Sequence, residues 1–334
     1  MHPTLTTLSK RLDIVELPHA AATRSFGEDV ANGLSSASKH LSPKYFYDEL
    51  GSVLFDAITK LPEYYLTAAE TEILREWGWE IVRALDGPIE LLELGSGSAI
   101  KTRVLIGEAI RAQGSLRYSP IDISKDALQA SAVSLIALYA QLAIHAYAGD
   151  YFAVLASPAL TRGNRVLALV LGSNIGNYTE SDARTLLGLL GKALRPGDGV
   201  LLGTDLKKDR ATLELAYDDP TGVTAAFNKN LLARINRELG GTFDLRTFDH
   251  VVEYDEASGT VESFLRSQIA QTVEIAALGL HVCFEPGERI HTESSHKFTA
   301  DEIAQLAHAG GFRLKQTWRD ARERFAVNLL VREG

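Results

Sequence analysis

Residues 88–103 constrain this chain most. An apolar run, Ile89-Glu90-Leu91-Leu92-Glu93-Leu94, reaches the acidic Glu93, then two glycines one residue apart, Gly95 and Gly97, then a helix-like segment through Lys101 and Arg103. That order spells a buried strand, a tight turn and a helix N-terminus. Such a turn lets a ligand come close to bare backbone, and the first amides of a helix attract anionic groups. A nucleotide-type cofactor site is therefore expected in the first third of the chain.

The pattern around the turn is repetitive in type. Residues 68–85 are helical in spacing, with Ile73, Leu74, Trp77, Ile81, Val82 and Leu85 on one face. Thr67 reads as the N-cap, with Glu70 three residues later as in a capping box. Residues 116–123 read as strand, 125–142 as helix, 145–148 as a short strand, 165–171 as an apolar strand and 181–194 as helix. Pro196-Gly197-Asp198-Gly199 turns the chain into a strand at 200–206. Strands alternating with helices predict a parallel sheet covered on both faces.

Residues 207–290 break the alternation, with a helix at 224–237 and antiparallel strands around 249–265 and 268–286. Helix 300–310 and strands 312–319 and 325–332 then resume the sheet. A cofactor domain is expected at 68–206 plus 290–334, and a second α+β unit at 1–67 plus 207–289. At 334 residues, two domains are the natural expectation.

Composition narrows the partners. The net charge is 34 − 43 = −9, and no Lys/Arg cluster marks a nucleic-acid face. Cys283 is the only cysteine, so no internal disulfide and no thiolate metal cluster can form. The longest apolar run, 166–171, is far too short to span a bilayer. The first 26 residues mix Lys10, Arg11, Asp13 and Glu16 among apolar residues, unlike a signal peptide. A cytoplasmic monomer acting on a small molecule is expected, without nucleic acid or membrane. His291 and His296 lie close in sequence, but no spacing of His, Asp and Glu makes a metal site, and no metal is expected.

Two cofactor classes use a strand, a glycine turn and a helix. A dinucleotide fold wants Gly or Ala three residues after the second glycine, and this chain has Ile100 there. Glu93 before the glycines fits S-adenosylmethionine better. Tyr118-Ser119-Pro120-Ile121-Asp122 ends the next strand in an acid that can accept from a ribose diol. Gly149-Asp150-Tyr151 follows another strand, with a carboxylate for an adenine amino group and an aromatic to cover the ring. Glycine turns near acids are common strand-end features taken singly. Three in order at successive strand ends are a stronger signal, because open parallel sheets bind ligands there.

Specific motifs then accumulate. They include Lys44-Tyr45-Phe46-Tyr47-Asp48, Leu61-Pro62-Glu63-Tyr64-Tyr65, Glu93-Leu94-Gly95-Ser96-Gly97 and Leu171-Gly172-Ser173-Asn174-Ile175-Gly176-Asn177. Leu202-Gly203-Thr204-Asp205-Leu206, Tyr217-Asp218-Asp219 and Gly222-Val223-Thr224-Ala225-Ala226-Phe227-Asn228 extend the set. From about residue 41 onward the chain resembles the histidine N-alpha-methyltransferases of ergothioneine biosynthesis, relatives of fungal aromatic-amino-acid N-methyltransferases. The resemblance implies a Rossmann-like, S-adenosylmethionine-dependent methyltransferase domain with an inserted α+β substrate-binding domain. It implies that Gly95, Lys101, Asp122, Asp150 and Tyr151 contact the cofactor. Tyr151 stands where a close relative has Phe.

By the same resemblance Tyr64, Asn177 and Tyr217 hold the amino acid, Tyr47 and Phe55 line its pocket, and Glu293 and Ser295 meet its side chain. The chemistry of these residues is consistent with that. A neutral amide such as Asn177 can address both a carboxylate and an amine. Glu293 can accept from an imidazole N–H while Ser295 satisfies the other nitrogen. One departure concerns specificity. Ser263 stands where close histidine-specific relatives carry methionine, near the expected imidazole. Another aromatic amino acid, tryptophan or tyrosine, is thus an alternative acceptor. A nicotinamide-dependent oxidoreductase and a silent binding module are the rival classes. Tyr47, Tyr64 and Asn177 are the expected catalytic residues, and the implied product is the trimethyl betaine hercynine.

Overall fold

The strands that carry the sheet are those with no polar face. Ile89–Leu94 and Gly199–Asp205 are buried at every position, and Arg165–Val170 at all but the first. Strands covered on both sides by helices read this way. A computed structural model describes residues 11–17, 25–97, 99, 101–157, 160 and 163–334. In chain order its strands are β1 Leu12–Glu16, β2 Ile89–Leu94, β3 Leu116–Asp122, β4 Leu142–Ala148, β5 Arg165–Val170 and β6 Gly199–Asp205. They continue as β7 Phe248–Asp255, β8 Thr260–Ser267, β9 Gln271–Ile275, β10 Leu280–Phe284, β11 Arg289–His296, β12 Phe312–Arg319 and β13 Phe325–Arg332.

The described chain divides into two compact units. Unit 1 holds residues 11–17, 69–206 and 298–334, and unit 2 holds 25–68 and 207–297. Unit 1 is built on an eight-stranded sheet in the order β1-β4-β3-β2-β5-β6-β13-β12. It is parallel from β1 to β6, and β13 and β12 run antiparallel. From β2 the chain steps outward to β3 and β4, then returns to β5 and steps the other way. The reversal opens a crevice beyond the carboxyl ends of β2 and β5, where such sheets bind ligands. Leu92, Leu94, Ile121, Val170, Leu187, Leu190, Leu202, Ile303 and Phe312 belong to one buried cluster, each contributing about 1.5–3 kcal/mol by leaving water.

Unit 2 carries a three-stranded antiparallel sheet, β11-β8-β7, and the hairpin β9–β10. Helices Phe26–Ser35, Glu49–Ile58, Arg210–Tyr217 and Val223–Leu239 complete it. Its core joins Val30, Leu34, Phe46, Phe227, Leu231, Phe248, Leu265 and Phe284. Phe46 stacks on Phe227 at 4.5 Å.

The fold is the α/β class expected, with several local corrections. Leu12–Glu16, assigned by sequence to the second unit, is an edge strand of the unit 1 sheet, paired in parallel with β4 along its whole length. Five residues of mixed polarity at a sheet edge carry no clear period, so the sequence hid it. The division near residue 290 also moves. β11 belongs to unit 2 because it pairs antiparallel with β8 from Arg289 to His296. Unit 1 resumes at Phe298, whose N–H donates to the Asp205 carbonyl at 2.8 Å. The helix read at 68–85 starts earlier, spanning Tyr65–Arg83. Thr67 therefore lies inside it, and Glu70 does other work, described below. Ile100, whose size argued against a dinucleotide, lies outside the described residues.

Candidate functional site

Unit 1 gathers its candidates at the carboxyl ends of the central strands. Gly95 and Gly97 both adopt left-handed φ, +69° and +47°, which side chains resist. Among the described residues nothing lies within 4 Å of a Cβ at Gly97, so on that side a ligand can approach backbone. Asp122 closes β3. Its Oδ2 accepts from Gly97 N–H at 3.1 Å and its Oδ1 from Ser124 N–H at 3.0 Å. The carboxylate is thereby aimed at the glycine turn and half-buried. Asp150 caps the helix Tyr151–Ala156 through Oδ1, which accepts from the N–H groups of Phe152 at 2.8 Å and Ala153 at 3.3 Å. Its Oδ2 accepts nothing among the described residues, and half-buried Tyr151 follows directly. An open glycine turn, a fixed ribose-type acceptor and a spare carboxylate oxygen beside an aromatic ring fit the donor set of S-adenosylmethionine.

Glu93 works differently. It is 5% exposed, and Thr102 and Tyr118 both donate to its carboxylate. Burial pushes its pKa up to about 7, against the pull of those two donors. Glu93 thus clamps β2 to β3 and to the helix Thr102–Gln113 from inside.

Sequence reasoning missed Glu70. Fully buried, its carboxylate pairs with Lys101 and accepts from Gly172 N–H at 2.8 and 3.0 Å. A Cβ on Gly203 would lie 2.1 Å from Glu70 Oε1, which explains the glycine in Leu202-Gly203-Thr204. Lys101, a cofactor candidate, is therefore held by Glu70 beside the loop that follows β5. In that loop Ser173 adopts φ +57°, an uncommon, strained conformation for a non-glycine residue. It is held there because its Oγ accepts from Asp205 N–H at 2.9 Å. The strained turn leads into the 3-10 segment Asn174–Asn177. The half-buried amide of Asn177 makes no hydrogen bond to any described residue, so both its donor and acceptor remain available.

Unit 2 gathers aromatic rings. Tyr47 meets Phe55 at 5.4 Å, Phe55 meets Tyr64 at 6.2 Å, and Tyr64 meets Tyr217 at 6.2 Å, each edge to face. Phe227, not singled out beforehand, touches Tyr47 at 5.8 Å and Phe55 at 5.9 Å. The motif around Tyr47 is a set of anchors. Asp48 caps the helix Glu49–Ile58, accepts from Asn230 at 2.8 Å and pairs with Arg237. Asp219, three residues before the N-cap Gly222, anchors the start of Val223–Leu239 by accepting from the Val223 and Thr224 N–H groups at 3.2 and 2.7 Å. Tyr47 leaves 49% of its surface open. Its hydroxyl nevertheless sits at the crowded end of the ring, where burial, then Glu293 and Tyr217, raises its pKa.

The polar candidates lie on β8 and β11, and a β-bulge aims them. The register pairs His291 with Phe264 but Glu293 with Ser263, leaving Thr292 as the extra residue. Its buried Oγ1 donates to the Ser263 carbonyl at 2.9 Å. Bulges re-aim side chains in this way. Directly opposed residues share a face, so Glu293 and Ser263, read separately from the sequence, are neighbours. Burial drives the Glu293 pKa up to about 7, and nearby Lys297 opposes the shift. Tyr217, the last residue of its helix, donates to Ser295 Oγ at 2.8 Å. Lys297 is the residue of this cluster that no motif announced.

Among the described residues no group of three or more His, Cys, Asp or Glu side chains is placed to hold a metal ion, and no helix is long and apolar enough to cross a membrane. The family model described as "Histidine-specific methyltransferase, SAM-dependent" matches residues 26–332. The chain is 44% identical over 315 residues to the histidine N-alpha-methyltransferase of Mycolicibacterium smegmatis, covering 93% of this chain and 96% of that one. It is 45% identical over 306 residues to the protein of the same name from Mycobacterium tuberculosis, covering 91% and 94%. Ergothioneine biosynthesis protein 1 of Schizosaccharomyces pombe is 30% identical over 277 residues, which cover 80% of this chain and 36% of that protein. The chain, with its parallel sheet, glycine turn and strand-end carboxylates, belongs to the family of S-adenosylmethionine-dependent, histidine-specific methyltransferases.

Proposed function

We propose that this protein transfers methyl groups from S-adenosylmethionine to the α-amino nitrogen of L-histidine, three in succession, giving hercynine. Unit 1 takes the cofactor through Gly95, Lys101, Asp122, Asp150 and Tyr151. Unit 2 supplies Tyr47, Phe55, Tyr64, Tyr217, Glu293 and Ser295 for the amino acid. The observation that carries this reading is the bulge-aimed Glu293 beside Ser295 and Tyr217, in a unit that also supplies a run of four aromatic rings. A carboxylate and a hydroxyl two residues apart on one strand suit the two nitrogens of an imidazole. The acceptor is thus a small molecule, with no nucleic acid, membrane or metal taking part, and the protein is taken as a cytoplasmic monomer.

When bound, the cofactor supplies an electrophilic methyl group for in-line displacement by a neutral amine. The protein's work is orientation and proton removal. Asn177, with its amide uncommitted, addresses the amino and carboxylate groups of the substrate, and Tyr217, whose proton goes to Ser295, contributes its ring. Burial lowers the ammonium pKa. Tyr64 and Tyr47 relay the proton as neutral hydroxyls, since the raised pKa of Tyr47 keeps it from becoming a phenolate base. A methylated ammonium lying among Tyr47, Phe55 and Tyr64 gains about 0.5–2 kcal/mol from each good cation–π contact.

Incubation with S-adenosylmethionine and histidine, followed by mass spectrometry, should reveal products carrying one, two and three added methyl groups. Absence of any methylated amino acid would end the enzymatic reading. Asn177→Ala should depress turnover strongly, and unchanged turnover would remove Asn177 from the site. A second reading is favoured by Ser263, which is 4% exposed and directly opposite Glu293. A small residue there leaves room for a larger ring, so tryptophan and tyrosine belong in the same assay.

A further inference from the structure

Lys297 is fully buried. Its Nζ donates to Tyr217 Oη at 2.8 Å and to Ser295 Oγ at 2.9 Å, and lies 4.5 Å from the centroid of the Tyr217 ring. Tyr217 Oη in turn donates to Ser295 Oγ at 2.8 Å. The three groups close a triangle. An ammonium has three donors and no acceptor, so both hydroxyl oxygens give it a lone pair. With Tyr217 also donating inward, Ser295 Oγ accepts twice. Its own proton must then be donated outside the triangle. Ser295 is 2% exposed, so bulk water does not take that proton, and a buried donor left unmet is costly.

We propose that Lys297 is a positioning residue that fixes Ser295 as a hydrogen-bond donor toward the acceptor's side chain, so that Ser295 and Glu293 together select a ring with one N–H and one bare nitrogen, the neutral imidazole. This rests on the assignment of Ser295 and Glu293 to the acceptor side chain. Glu293 takes the N–H and Ser295 meets the bare nitrogen. An imidazolium would oppose its second N–H to the serine proton. An indole or phenol offers no bare nitrogen. Selection of this kind works by polarity, and it operates even where the pocket wall at Ser263 admits a larger ring.

The test compares histidine with β-pyrrolylalanine, whose five-membered ring keeps an N–H and replaces the bare nitrogen by C–H. The wild-type enzyme should favour histidine in kcat/KM by at least about tenfold. In Lys297→Met the serine proton is free to turn inward, and the ratio should fall to within about threefold. The loss should lie in KM for histidine, with kcat changed little. Binding of S-adenosylhomocysteine reports that the variant is folded. If Lys297→Met does not fold, Ser295→Ala is read by the same ratio and should also lose the preference. A merely structural lysine would lower kcat/KM for both acceptors together and leave the ratio intact, which would overturn the inference. So would a wild-type enzyme that turns over histidine but treats the two acceptors alike. An enzyme that methylates no histidine would overturn both this inference and the function it rests on.

Discussion

The candidate groups of unit 1 are a glycine turn and side chains held by backbone, whereas those of unit 2 are side chains held by one another. In unit 1 the glycine turn, the helix caps and the strand ends are set by the sheet topology, and their carboxylates are already aimed by main-chain N–H groups. In unit 2 the candidates come from five separated segments. They are brought together by ring packing, by a bulge in β11 and by hydrogen bonds among side chains. The first arrangement suits a cofactor common to many enzymes. The second can be altered residue by residue, which suits choosing among amino acids.

The sharpest way to break this comparison is at the turn. Gly97→Val forces a β-branched residue into a left-handed conformation and fills the side from which a ligand can approach. S-adenosylhomocysteine affinity, measured by calorimetry, should fall on the order of a hundredfold or more. A cofactor site that does not approach the turn would tolerate the change. Glu70→Ala comes next. It strands Lys101 and frees the Gly172 amide, so chemical denaturation should show a loss of about 3–5 kcal/mol.

Glu93 offers a pH test of the inner clamp. Burial raises its folded pKa to about 7, above the ordinary carboxyl value of 4.5. The folded state therefore holds the proton more tightly, and this group's contribution to stability is greatest below about pH 4.5. That contribution declines as pH rises toward 7, by about 3 kcal/mol in all. Depressed carboxylates such as Asp219 and Asp320 act in the opposite sense, losing stability as pH falls. The wild-type-minus-Glu93→Gln stability difference should thus shrink between pH 4.5 and 7, and a flat difference would place the Glu93 carboxyl in a wetter site.

In unit 2 the effects should be smaller and selective. Glu293→Gln should lower kcat/KM for histidine by about 10- to 100-fold, with less effect on tryptophan. Smallest of all, Ser263→Met should raise preference for histidine over tryptophan by about threefold to tenfold by narrowing the pocket. An unchanged preference would show that the wall opposite Glu293 does not touch the ring.

The two units also differ in how they appear in the sequence. Apolar runs and glycine spacing made the unit 1 sheet and the placement of Asp122 and Asp150 readable, because strand ends in a parallel sheet are local features. Glu70 was misread as a capping residue because its partners, Lys101 and Gly172, are distant in sequence. β1 was missed for want of a period. In unit 2, resemblance supplied the candidates, and no spacing could show that Glu293 opposes Ser263, since that pairing depends on an extra residue inside a strand. Lys297 was invisible for a related reason. A lone lysine after a strand reads as a solvated end, and only the fold buries it against Tyr217 and Ser295.

The bulge at Thr292 splits β11 into two phases. Side chains before it alternate on one count and those after it on another, so the pocket-facing set that begins at Glu293 is decoupled from the strand's entry through Arg289 and Ile290. Losing that one residue would turn the later side chains over while leaving the earlier ones in place. The strand proposed to read histidine would keep much the same composition but face the other way. The specificity of the unit is therefore held in a count of residues as well as in their identity, and an insertion or deletion in this strand is a larger step than most substitutions.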